Sequence, residues 1–157
     1  MENFQIRELG KRDWPKVLEI VRNLNGWFDA VALSFEIPND LKFHKGLAAE
    51  VNGEVVGFLT YSSFEGEVFI SWLGVNPDCQ RQGIGKSLVL KLENILDEYG
   101  FDSLKVETLS AKIEYEPYER TRAFYKKIGF SEAETRSFIS KADQEELEMV
   151  TFRKKFK

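Results

Sequence analysis

The chain has 157 residues, 43% hydrophobic and 31% charged, and its 26 acidic against 22 basic side chains give a formal charge of −4 at neutral pH. That length suits one compact domain, residues 1–157, with a core that needs no disulfide or metal staple, and the composition excludes both a disordered tail and a membrane protein. A pI near 5.2 argues against a dedicated nucleic-acid binder, which needs a concentrated basic face.

The longest apolar stretch, Val68 to Val75, is broken by Ser71 and falls far short of the roughly 20 residues that cross a bilayer. Charges interrupt the segment from Met1 to Leu9, so no cleavable secretory signal is expected. Cys79 is the only cysteine, which allows no internal disulfide and fits a reducing cytoplasm. The basic run Arg153, Lys154, Lys155 and Lys157 reads as a solvated end.

In chain order, Phe4 to Glu8 is a strand candidate, and Asp13-Trp14-Pro15 starts a helix, because Asp caps free amides and Pro tolerates the first turn. Trp14, Val17, Leu18, Val21 and Leu24 form one apolar stripe at helical spacing. Gly26 to Lys45 reads as a short helix plus a loop, interrupted at Ile37-Pro38. Leu47 to Val51 and Glu54 to Tyr61 flank Asn52-Gly53, a strong hairpin signal because both residues tolerate positive φ. A second turn at Glu65-Gly66 leads into Glu67 to Val75, completing a meander.

Beyond Pro77 a glycine-containing loop precedes the stripe Leu88, Val89, Leu92, Ile95, Leu96 and Tyr99, closed by Gly100. A strand from Ser103 to Leu109 follows, then a loop through Pro117 and a short helix bearing Thr121, Phe124, Tyr125 and Ile128, ended by Gly129. Two last strands fall around Thr135 to Ser140 and Leu147 to Phe152. The order is mixed α/β.

The chemistry concentrates between Trp72 and Ser87, where a strand runs through glycines into a helix. Such a junction presents unpaired backbone N–H groups at the positive end of the helix dipole, a site for phosphate, with Arg81 and Lys86 able to add charge. Gly85-Lys86-Ser87 supplies the end of a P-loop, but Gln80 stands where its first glycine belongs. The dinucleotide fingerprint fails because Leu88 occupies its last position. A glycine-rich turn that merely begins a helix is the plain structural alternative.

Gln80-Arg81-Gln82-Gly83-Ile84-Gly85 resembles the Q/R-x-x-G-x-G/A signature of the GNAT superfamily, the acetyl-CoA-dependent N-acyltransferases, and it follows a strand ending Gly74-Val75-Asn76-Pro77 as that signature does. Phe124-Tyr125-Lys126-Lys127-Ile128-Gly129-Phe130 resembles the superfamily's second segment. The resemblance implies an α/β (α+β) fold with a mixed, mostly antiparallel twisted sheet, helices on both faces and two central strands splayed to admit coenzyme A. It further implies that the pantetheine arm runs along Leu73, Gly74 and Val75. The pyrophosphate would lie on the loop of Gln80, Arg81, Gln82, Gly83, Ile84, Gly85, Lys86 and Ser87. Two departures stand out: Tyr118 takes the place of a common cofactor-contacting asparagine, and Thr121 that of an alanine.

Attack of an amine on a thioester builds an oxyanion and expels a thiolate, so a proton donor is needed. Tyr125 is the candidate, its alternative being a core aromatic beside Phe124 and Ile128. An alkylamine with pKa near 10.4 must also lose a proton. Glu107, late in a strand bordering the expected cleft, is the candidate base, with a water chain, Glu114 or Glu116 as alternatives and a surface role open. Cys79 has no histidine neighbour to activate it, and His44 has no companion at metal-ligand spacing, so no metal is expected. Trp27, Phe28, Phe35 and Phe43 with Asp29, Glu36 and Asp40 either wall an acceptor pocket for a cationic amine or serve ordinary core and surface roles.

The expected partners are acetyl-CoA and an amine on a small molecule or a protein, with neither nucleic acid nor a membrane, and a homodimer left open. A non-catalytic acetyl-CoA sensor and a P-loop-like nucleotide-binding protein are the rival functions.

Overall fold

The structure, a computed structural model, describes residues 3–24 and 26–156; Met1, Glu2 and Lys157 of the segments discussed above lie outside them. Seven strands, β1 (Gln5–Glu8), β2 (Lys45–Val51), β3 (Glu54–Phe64), β4 (Glu67–Val75), β5 (Ser103–Leu109), β6 (Ser131–Ile139) and β7 (Glu146–Lys155), form one sheet in the order β1-β2-β3-β4-β5-β7-β6. Every neighbouring pair is antiparallel except β4 and β5. The helices are α1 (Trp14–Asn23), α2 (Ile37–Phe43), α3 (Ile84–Glu98) and α4 (Glu116–Lys127).

Both hairpins form where local turn chemistry places them, with Asn52, Gly53, Glu65 and Gly66 all at positive φ. Alternation along β3 then divides the core between the two sheet faces. Phe58 packs with Val17, Ile20 and Val21 of α1 and Ile37 and Leu41 of α2. Leu59 packs with Leu88, Val89 and Leu92 of α3 and Tyr125 of α4. The helices therefore cover both faces, as expected.

Four local expectations are corrected. Asp13 precedes α1 but makes no side-chain cap to it; its carboxylate turns back to the Gly10 amide at 2.8 Å and to Arg7 at 2.8 and 3.0 Å. Pro38 does not interrupt the Gly26–Lys45 segment, because it falls in the first turn of α2, where its missing N–H costs nothing, and a π-helical turn at Ala32–Glu36 leads directly into that helix. Pro117 belongs to the first turn of α4 rather than to the preceding loop. The basic run is not a solvated end: Arg153 and Lys154 lie within β7, and the Lys154 ammonium pairs at 3.0 Å with Glu93, which is 6% exposed.

Candidate active site

β4 and β5 meet over two residue pairs only, Phe69 with Lys105 and Ile70 with Val106. The next residue of β4, Ser71, is skipped in the pairing with β3, where Thr60 faces Trp72 and Tyr61 faces Ile70. A bulge of this kind bends its strand and sharpens the twist. Beyond it, Trp72 to Val75 pair with β3 alone, while β5 continues beside β7 up to Leu109 and Met149. The two central strands thus part, leaving main-chain groups of Leu73, Gly74 and Val75 beside a gap.

The gap leads to the start of α3. The Asn76 amide donates to the Val56 carbonyl at 2.7 Å, and the Asn76 side chain accepts from the Asp78 amide at 3.2 Å, which sets the turn out of β4. The Gln80 carboxamide donates to the Val75 carbonyl at 3.2 Å, tying the loop to the strand end. Arg81 and Gly83 both take left-handed φ, 63° and 82°, and no atom lies within 4 Å of where a Gly83 Cβ would stand. The 15-residue α3 then begins at Ile84, and its first-turn amides have no carbonyl one turn earlier to receive them. Arg81 and Lys86 are exposed on this loop, whereas Ile84 is buried in the core. At Gly85 a Cβ would sit 3.2 Å from the Phe124 ring, so α3 and α4 approach closely there.

Tyr125 is 4% exposed and ringed by Phe124, Phe130 and Phe152 at centroid distances of 5.2, 5.3 and 6.5 Å. Burial in this aromatic setting pushes its phenol above the usual range. Its hydroxyl makes no hydrogen bond among the described residues. One turn earlier on α4 lies Arg122, 6% exposed, whose Nη1 donates to the carbonyls of Leu109 at 2.7 Å and Ser110 at 3.1 Å.

Glu107 shares a face of β5 with Lys105. Both of its oxygens accept from the Arg136 guanidinium of β6, one at 2.7 Å from Nε and the other from Nη2. Lys105 pairs with Glu67 at 2.7 Å and lies over the Phe69 ring. On the α1–α2 side, the Trp72 indole donates to Asp40 at 2.7 Å and meets Phe28 edge-on at 5.8 Å. Glu36 is shifted upward, first by burial and then by the like charge of Asp29, with Lys141 opposing and Asp40 adding to the rise.

Of the residues singled out from sequence, Phe28, Asp29, Glu36 and Asp40 gather on this side, whereas Phe43 projects into solvent, 85% exposed. Glu116 is engaged by Arg120 at 2.8 Å, and Glu114 is exposed. Tyr118 stacks edge-on with Tyr115 at 4.7 Å. Sequence reading missed Arg122 and Arg136. A charged residue sharing a helical face with Tyr118 and Tyr125 was a usable sign of the first; the second depends on register across β7 and left no local mark.

A model of the acetyltransferase (GNAT) family matches residues 5–130, spanning the loop before α3 and the segment around Tyr125. The chain belongs to that family and is an acyltransferase. The family's general cosubstrate is acetyl-CoA. Among similar solved structures, the ribosomal-protein-S18-alanine N-acetyltransferase from Escherichia coli is 20% identical with a TM-score of 0.74, over 98% of this chain and 94% of that one. The ribosomal-protein-alanine N-acetyltransferase from Brucella melitensis is 22% identical with a TM-score of 0.69, over 97% and 99%. An N-acetyltransferase from Staphylococcus aureus Mu50 is 19% identical with a TM-score of 0.71, over 99% of each chain. These likenesses carry the fold across the whole described chain, including β6 and β7, which lie beyond the family match.

Proposed function

We propose that this single domain transfers acetyl from acetyl-CoA to a primary amine by direct attack within a ternary complex. The observation that carries the reading is the parting of β4 from β5 just ahead of the open first turn of α3. A diphosphate fits the amides from Arg81 to Lys86, since Gly83 leaves its backbone uncovered. The main chain of Leu73, Gly74 and Val75, having lost β5 as neighbour, takes the pantetheine arm as a strand takes a peptide. Acetyl-CoA supplies the acyl group as a thioester.

Tyr125 holds the proton that the sulfur needs. A thiol near pKa 8.5 against a phenol near 10 makes the transfer slightly uphill in water. Burial raises Tyr125 and would raise a thiol lodged in the same apolar surroundings, so the gap between them need not widen. Glu107, with both oxygens held by Arg136, receives the amine's proton through water. The acceptor approaches from the face of Phe28 and Trp72, where Asp29 and Glu36 favour a cationic amine.

The test is thiol release from acetyl-CoA with a broad panel of small amines and amine-bearing peptides. Release with one class of amine supports the reading. Tight calorimetric binding of acetyl-CoA with no release across the panel would favour a sensor instead.

A further inference from the structure

We propose that Arg122 is a positioning residue of the acyl-transfer cleft, occupying the place beside β5 that β4 vacates. The proposal rests on the reading that acyl transfer takes place in the gap between these strands.

In an antiparallel pair, residues alternate between those that bond to the partner strand and those whose amide and carbonyl face the other way. The Ser110 amide donates to the Glu148 carbonyl of β7 at 3.0 Å, so the main chain of Leu109, one residue earlier, faces away from β7. Its carbonyl is directed to the side on which β4 would lie had the parallel pairing continued past Ile70 and Val106. That part-buried carbonyl needs a donor; Arg122 Nη1 supplies one at 2.7 Å, and the Thr108 hydroxyl donates more weakly at 3.5 Å.

The same nitrogen reaches the Ser110 carbonyl at 3.1 Å, which also accepts from the Ile113 amide at 3.1 Å. One guanidinium therefore clamps the turn that ends β5. It does so without a carboxylate partner among the described residues, although it is 6% exposed. A buried charge bound only by carbonyls is a poor stabilising device, but through one nitrogen of its planar guanidinium it ties two successive acceptors to the helix that carries it. That helix carries Tyr125 three residues later, on the same face. Arg122 thereby sets the distance between the free lip of β5 and the Tyr125 hydroxyl.

The experiment measures thiol-release kinetics and acetyl-CoA KM for the wild type, Arg122→Gln, Arg122→Lys, Tyr125→Phe and the Arg122→Gln/Tyr125→Phe double variant. Arg122→Gln should lower kcat about tenfold or more with the acetyl-CoA KM held within about threefold, and Arg122→Lys should fall between it and the wild type. The double variant should be no more than about twofold slower than its slower parent, because both substitutions disable one device.

A kcat for Arg122→Gln within about twofold of wild type, a loss confined to KM, or losses that multiply in the double variant would overturn the assignment. Should Arg122→Gln fail to fold, Arg122→Lys carries the test: a kcat lowered about two- to tenfold at constant KM supports it, and an unchanged kcat defeats it. Wild-type turnover in Tyr125→Phe would instead remove the proton-donor reading, while the Arg122 variants are still judged against wild type on their kcat and KM.

Discussion

Glu107 of β5 and Arg136 of β6 join across an intervening strand, the guanidinium reaching over β7 to hold both carboxylate oxygens. The carboxylate is thereby held in one orientation. In a water-relayed role it matters most where the amine is protonated. Glu107→Gln should lower kcat about tenfold or more near pH 7 and lose less as pH approaches the amine's own pKa of about 10.4. Turnover measured from pH 6.5 to 10 checks this; a deficit of the same size at every pH would rule out the base.

Tyr125→Phe removes one oxygen from an aromatic cluster and should leave the fold intact, since Phe124, Phe130 and Phe152 still enclose the ring. Loss of a general acid typically costs about 10²- to 10⁴-fold in kcat, and acetyl-CoA KM should hardly move. A donor must be protonated to act, and burial raises this phenol. The wild-type kcat should therefore show no alkaline limb from Tyr125 below about pH 10.

Two glycines at the start of α3 should answer differently to alanine. Gly83→Ala meets open space but keeps a left-handed φ of 82°, a strain of about 1–2 kcal/mol, and its added methyl stands where the diphosphate is expected. The larger effect should be weaker acetyl-CoA binding by calorimetry. Gly85→Ala sets a methyl 3.2 Å from the Phe124 ring and should lower kcat by moving α4. Equal binding and turnover in both variants would contradict the proposed cofactor loop.

Arg7 holds the Asp13 carboxyl below the ordinary range, with the Gly10 amide helping against the cost of burial. A depressed folded pKa stabilises the fold above the unfolded value, about 3.9, and that contribution is lost as pH falls through the folded value. Asp13→Asn should therefore lower Tm at pH 7. The difference from wild type should shrink progressively below pH 4 in thermal melts.

Much of the fold was legible because its signals are local. Asn52-Gly53 and Glu65-Gly66 define their hairpins within two residues each, and the glycines before α3 mark a strand-to-helix junction whatever lies around them. Tyr125 could be located but its setting could not, because Phe152 reaches it from a strand 27 residues away in the chain. The bulge at Ser71, the Glu107–Arg136 pair and the Arg122 clamp were all hidden for one reason: each depends on how separate strands and helices align, and alignment leaves no periodic trace. The π-helical turn before Pro38 escaped for a different one, since its apolar spacing fits neither helix nor strand.

With Phe69–Lys105 and Ile70–Val106 as its only paired residues, the seam between β4 and β5 divides the sheet into two panels with little hydrogen-bonded ladder between them. A ligand seated in such a seam acts as mortar. It ties together main-chain surfaces that the protein leaves apart, so saturating cosubstrate should raise the melting temperature by mass action, and slow amide exchange most at the panels' facing margins.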